Sequence, residues 1–137
     1  MLADNLKIVQ EKIEASLQKR KEAMQTGDAV TLVAVTKNHA PEVITEALSL
    51  GVECIGENRV QEILEKYDAV KPVKWHLIGH LQRNKVKYII DKVELIHSVD
   101  SFELAKEIDR QAKKIGKTEK ILLEVNVSGE ESKFGIK

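Results

Sequence analysis

Apolar, β-branched runs recur along this chain at a nearly constant interval. Strand-like segments begin near residues 31, 53, 74, 94 and 120, at intervals of 22, 21, 20 and 26 residues. An amphipathic stretch of helical period separates each one from the next. Strands alternating with helices at this interval pair in parallel through right-handed crossovers, so the expected fold class is α/β. No sequence repeat or low-complexity linker interrupts the cycle.

The pattern opens with a predicted amphipathic helix over residues 2–25, where Leu2, Leu6, Val9, Ile13 and Leu17 share one face and Thr26-Gly27-Asp28 ends it. The run Thr31–Thr36 reads as a strand covered on both faces. Pro41 starts the next helix and Gly51 closes it. Strand Glu53–Gly56 then leads to a helix whose apolar stripe is Val60, Ile63, Leu64 and Tyr67. Strand Lys74–Ile78 precedes a helix near Leu81–Ile90, and strand Glu94–His97 precedes a helix that stops at Gly116. Asp100, with Glu103 three residues on, is expected to cap that last helix. Lys120–Val127 reads as a further buried strand, and a polar loop follows over Ser128–Ser132.

Two architectures satisfy this alternation. Five strands in 137 residues suit a complete flavodoxin-like, doubly wound sheet of order 2-1-3-4-5. The same five units also suit the first part of an eight-stranded barrel, which needs about 250 residues. By size alone the first is favoured, because it would be complete.

Composition narrows the function. Lys plus Arg and Asp plus Glu are each 22, so the net charge is zero, which excludes the broad cationic surface that tracks nucleic acid. Hydrophobic residues at 42% supply a core. The N-terminus lacks the apolar region of a signal peptide, and no run approaches the roughly 18 residues of a membrane span. The single cysteine, Cys54, lies in an apolar stretch and reads as a packed thiol in a reducing, cytoplasmic setting.

In either architecture the chemistry belongs at the C-terminal ends of the strands. Those ends are polar: Thr36-Lys37-Asn38-His39, Gly56-Glu57-Asn58-Arg59, Gly79-His80, His97-Ser98-Val99-Asp100 and Asn126-Val127-Ser128. Lys37 directly follows the first strand. Its amine can attack an aldehyde to form a Schiff base if partly desolvated, or snorkel to solvent as most lysines do. His76 and His80 have metal-pair spacing, but one is in a strand and the other past its end, so no metal site is expected. His76 reads equally as a core histidine, and His97 is better placed to line a pocket. No glycine-rich dinucleotide or P-loop motif follows the first strand. The basic segment Gln82–Lys87 reads as a solvated helix face that could contact a phosphate or an acidic partner.

With these residues in view, the chain resembles the pyridoxal phosphate homeostasis proteins, relatives of the N-terminal barrel domain of alanine racemase. The segments that carry the resemblance are LVAVTK (Leu32–Lys37), GENRVQE (Gly56–Glu62), WHLIGHLQRNK (Trp75–Lys85), HSVDS (His97–Ser101) and LLEVNVSGEESKFG (Leu122–Gly135). They stand in the family's order and close to its spacing. The resemblance implies a TIM-like barrel with an extra N-terminal helix, about five of whose strands are present. It implies pyridoxal 5'-phosphate held as a Schiff base on Lys37, and a role in vitamin B6 homeostasis without turnover. Asn58, His97, Ser98 and Asn126 are implied neighbours of the cofactor. Asn58 also reads, from pattern alone, as a helix N-cap.

In the family, the loops that hold the cofactor phosphate come from later strands than any here. Residues 1–137 are therefore expected to be the N-terminal part of a single barrel domain. Its open strand edge is expected to self-associate or to take up a complementary C-terminal fragment. Two other readings remain: a racemase- or decarboxylase-type enzyme on the same barrel, and a flavodoxin-like module for another small ligand. Strand order separates the latter from the barrel.

Overall fold

The computed structural model describes residues 1–20, 29–70, 72–131 and 133–137. Five strands, β1 (Val33–Val35), β2 (Cys54–Glu57), β3 (Lys74–Leu77), β4 (Val93–Val99) and β5 (Lys120–Leu123), form one sheet. Every neighbouring pair is parallel, and the order is β1-β2-β3-β4-β5. That order decides the architecture. A doubly wound sheet reverses direction after its first pair, whereas here each strand adds beside the one before it. Right-handed crossovers then leave the connecting helices on one face, as in a barrel. The flavodoxin-like alternative is thereby overturned.

Those helices are α2 (Pro41–Ser49), α3 (Val60–Lys66), α4 (Val86–Ile89) and α5 (Phe102–Lys114), preceded by α1 (Leu2–Gln18). The core lies between them and the sheet. Ile44, Ile63, Ile89, Leu104 and Ile108 from the helices pack with Ile55, Leu77 and Ile96 from the strands. α1 contributes Leu2 and Leu6 at the margin of this cluster. α1 ends at Gln18 with Lys19 as its C-cap, short of the helix predicted over residues 2–25, while Thr26-Gly27-Asp28 lies outside the described residues. Gly51 and Gly116 take left-handed backbone, φ +97° and +66°, just past α2 and α5, as stop signals should. Cys54 is buried, and burial pushes its thiol pKa up, in keeping with a packed, unreactive group.

Several expectations need correction. The helix near Leu81–Ile90 is a 3-10 turn, Arg83–Lys85, followed by the single turn α4. The cap of α5 is Ser101, whose Oγ accepts the Leu104 N–H at 3.1 Å, because Asp100 turns instead to His80. Asn58 is not a helix cap, since α3 starts after Arg59 without a side-chain cap. The stripe of α3 is also rotated. Leu64 is 36% exposed while Lys66, between the expected apolar positions, is buried at 7%. Finally, the runs at Thr31–Thr36 and Lys120–Val127 are not strands covered on both faces: β5 ends at Leu123, and its adjacent Leu122 and Leu123 are 49% and 62% exposed. In β1, Val35 is 50% exposed.

Candidate functional site

The parallel register brings the five C-terminal strand ends to one rim. At the first of them, Thr36 is buried and Lys37 and Asn38 form an exposed turn. The Thr36 hydroxyl donates to Glu57 Oε1 at 2.6 Å, and the Thr36 N–H donates to the Gly56 carbonyl at 3.0 Å. Lys66 reaches up from α3 to the same place. Its Nζ donates to Glu57 Oε1 (2.8 Å), to Glu62 Oε2 (3.1 Å) and to the Thr36 carbonyl (3.0 Å). Glu62 Oε2 also accepts the Asn38 N–H at 3.1 Å.

The electrostatics of this cluster follow from one cation between two acids. Burial alone would lower the Lys66 pKa, but Glu57 and Glu62 outweigh it and hold the ammonium above its ordinary value. The Asn38 N–H, with Lys66, holds Glu62 below the usual carboxylate range. Burial pushes Glu57 up despite Lys66 and Thr36, and its Oε2 is buried with no donor.

At the second and third ends, Asn58 is half-buried and its backbone lies directly under Gly79. A Cβ at Gly79 would stand 2.2 Å from the Asn58 carbonyl oxygen, so only glycine permits this approach. Asn58 also lines a cavity of about 400 Å³ with Arg59, His80, Gln82, Lys85 and Tyr88. At the fourth end, His97 Nε2 is 2.9 Å from His76 Nδ1 on β3, joining two strands by a shared proton. Ser98 is the next residue along β4 and projects to the opposite face; its Oγ is buried without a partner. At the fifth, Asn126 is buried, and both ends of its amide are engaged within its own loop. Its Nδ2 donates to the Glu130 carbonyl (2.7 Å), and its Oδ1 accepts the Gly129 N–H (2.9 Å).

The comparisons with known proteins bear on this rim. The family model for alanine racemase, N-terminal domain, matches residues 8–137. The chain belongs to this family. Within it, the chain is 50% identical over 107 residues to a pyridoxal phosphate homeostasis protein of Aquifex aeolicus, covering 77% of this chain and 47% of that protein. The structure of PipY from Synechococcus elongatus with PLP bound superposes with a TM-score of 0.75 at 36% identity, over 92% of this chain and 57% of that one. A protein from Bifidobacterium adolescentis gives a TM-score of 0.84 at 37% identity, over 98% and 58%. The chain thus spans about half the length of the curated relatives it matches.

This member of the alanine racemase N-terminal domain family joins several of the polar strand ends through Glu62, Lys66 and Phe134, which lie outside them. Thr36, Glu57, Glu62 and Lys66 form one cluster. His80 pairs with Asp100 at 3.4 Å and stacks on Phe134, ring centroids 3.9 Å apart, tying together the loops after β3, β4 and β5. A lysine on the core side of a helix stripe was the available signal for the first. Nothing local signals the second, because its three residues span more than fifty positions. Among the described residues, no helix is long and apolar enough to cross a membrane.

Proposed function

We propose that this chain is the cofactor-lysine half of a pyridoxal phosphate-binding homeostasis protein, carrying pyridoxal 5'-phosphate on Lys37 without turnover of its own. The observation that carries the reading is the place of Lys37, an exposed amine at the end of the first strand of a barrel-type sheet, in a turn held from below. The relatives named as pyridoxal phosphate homeostasis proteins and PipY with PLP bound support the ligand.

The residues present fit such a group. When bound, the cofactor supplies an aldehyde with which a lysine amine condenses, a C=N bond forming and water leaving. Lys37 offers that amine. Asn58, brought close by the missing Cβ of Gly79, and His97, fixed by His76, stand on the same rim as ring-pocket residues. Ser98, its buried Oγ on the face opposite His97, is not placed to meet the ring beside that histidine, and Asn126 shapes the fifth loop. Residues 1–137 are, in this reading, the N-terminal part of one barrel domain in the cytoplasm, with the β5 edge accepting the strand that follows it. Its partners are the small-molecule cofactor and the rest of the barrel, with neither nucleic acid nor membrane among them.

The deciding experiment is to mix the protein with pyridoxal phosphate, follow the visible absorbance, reduce with borohydride and map the labelled peptide. Label concentrated on Lys37, and lost in a folded Lys37→Ala variant, is the expected result. Label spread evenly over the surface lysines would overturn the reading.

A further inference from the structure

Lys66 is buried at 7% exposure, and burying its charge costs several kcal/mol unless every donor is met. Every donor is met. Its three N–H groups face three acceptors, Glu57 Oε1, Glu62 Oε2 and the Thr36 carbonyl, at 2.8 to 3.1 Å. Two of those acceptors continue upward. Glu57 takes the Thr36 hydroxyl, and Glu62 takes the Asn38 N–H. The residues on either side of Lys37 are therefore both anchored, while the Lys37 side chain is left exposed between them.

The backbone at this point makes a tight turn. Asn38 has φ +64°, a left-handed turn conformation that asparagine adopts more readily than other non-glycine residues. A purely apolar contact between α3 and the sheet would fasten the helix, but it could not reach the polar backbone of this turn. We propose that Glu57, Glu62 and Lys66 are positioning residues that clamp Thr36 and Asn38 so that the Lys37 amine meets an incoming aldehyde in one fixed orientation. The proposal rests on Lys37 as the cofactor lysine and extends it to the helix below.

Glu62 separates positioning from fastening, because it touches the turn while the buried Glu57–Lys66 pair persists without it. Glu62→Ala is expected to stay folded, to speed hydrogen exchange at the Asn38 amide, and to slow borohydride-trapped labelling of Lys37 by about tenfold relative to exposed Lys106 in the same sample. Glu62→Gln, whose amide oxygen still accepts the Asn38 N–H, restores most of the rate. Glu62→Asp keeps the charge but shortens the reach, so it decides the matter if the alanine variant fails to fold, and it is expected to lose the Lys37 preference too. Wild-type selectivity for Lys37, retained in Glu62→Ala or Glu62→Asp, overturns the clamp and leaves the cofactor reading standing. Wild-type protein that labels Lys37 no faster than Lys106 overturns the cofactor reading, and the clamp with it.

Discussion

His76 Nδ1 and His97 Nε2 lie 2.9 Å apart across neighbouring strands, so one ring donates a proton that the other accepts. The pair accommodates two neutral rings or one cation, but a second cation would set N–H against N–H. Burial lowers the pKa of His76, and the neighbouring charge of His97 lowers it further; burial lowers that of His97. The unfolded chain, with both near 6.5, binds protons that the folded chain resists. The stability these rings contribute is thus fully present above that value and is lost as pH falls through the depressed values. Melting temperature is expected to decline as pH falls below about 6.5, and to decline less in His76→Leu/His97→Leu. Parallel profiles for wild type and double variant would contradict this.

Lys66→Met should be far more damaging than its volume suggests. It leaves the fully buried Glu57 carboxyl facing no cation, a change that costs about 3–5 kcal/mol in buried pairs. Adding Glu57→Gln should recover part of the loss. Urea midpoints of the two singles and the double test it, and additive losses would mean that the two residues are not coupled.

Gly79→Ala drives a methyl group into the Asn58 backbone, where the nearest atoms are a carbonyl oxygen, its carbon and a Cα within 2.9 Å. Backbone cannot swing aside as a side chain does. A cost of about 1–3 kcal/mol is expected, with amide shifts at Asn58 and Arg59 in a heteronuclear spectrum. An unshifted spectrum would show that the two loops are not in contact.

Ser101→Ala removes the side-chain cap of α5 and should cost about 1 kcal/mol. Asp100→Ala should spare the cap and instead free His80, which Asp100 holds at 3.4 Å. Thermal melts rank the first variant below the second. The reverse ranking would restore Asp100 as the cap.

Much of this arrangement was legible in the chain because it depends on local periodicity. The interval of about twenty residues between apolar runs announced five parallel strands, and glycines at 51 and 116 marked two helix ends. Strand order was not legible, since a doubly wound sheet and a barrel share one local pattern. The phase of α3 misled for a different reason. Leu64 looks like core and Lys66 like surface until Glu57, on the strand beneath, makes the lysine the better buried partner. The place of Lys37 was readable from its strand, whereas the groups that hold its turn bond across 21 to 30 positions of sequence.

The simple strand order has a consequence for how the chain reaches this state. Among the five described strands, each pairs with the one that precedes it, and the first paired residues of successive strands, Val33 with Cys54, Cys54 with Lys74, Trp75 with Val93 and Leu95 with Lys120, are separated by 21, 20, 18 and 25 positions. The sheet can therefore lengthen from its N-terminal side in the order of synthesis, each new βα unit docking on an edge that is already formed. The turn around Lys37 would be complete once α3 has joined, before the later strands exist.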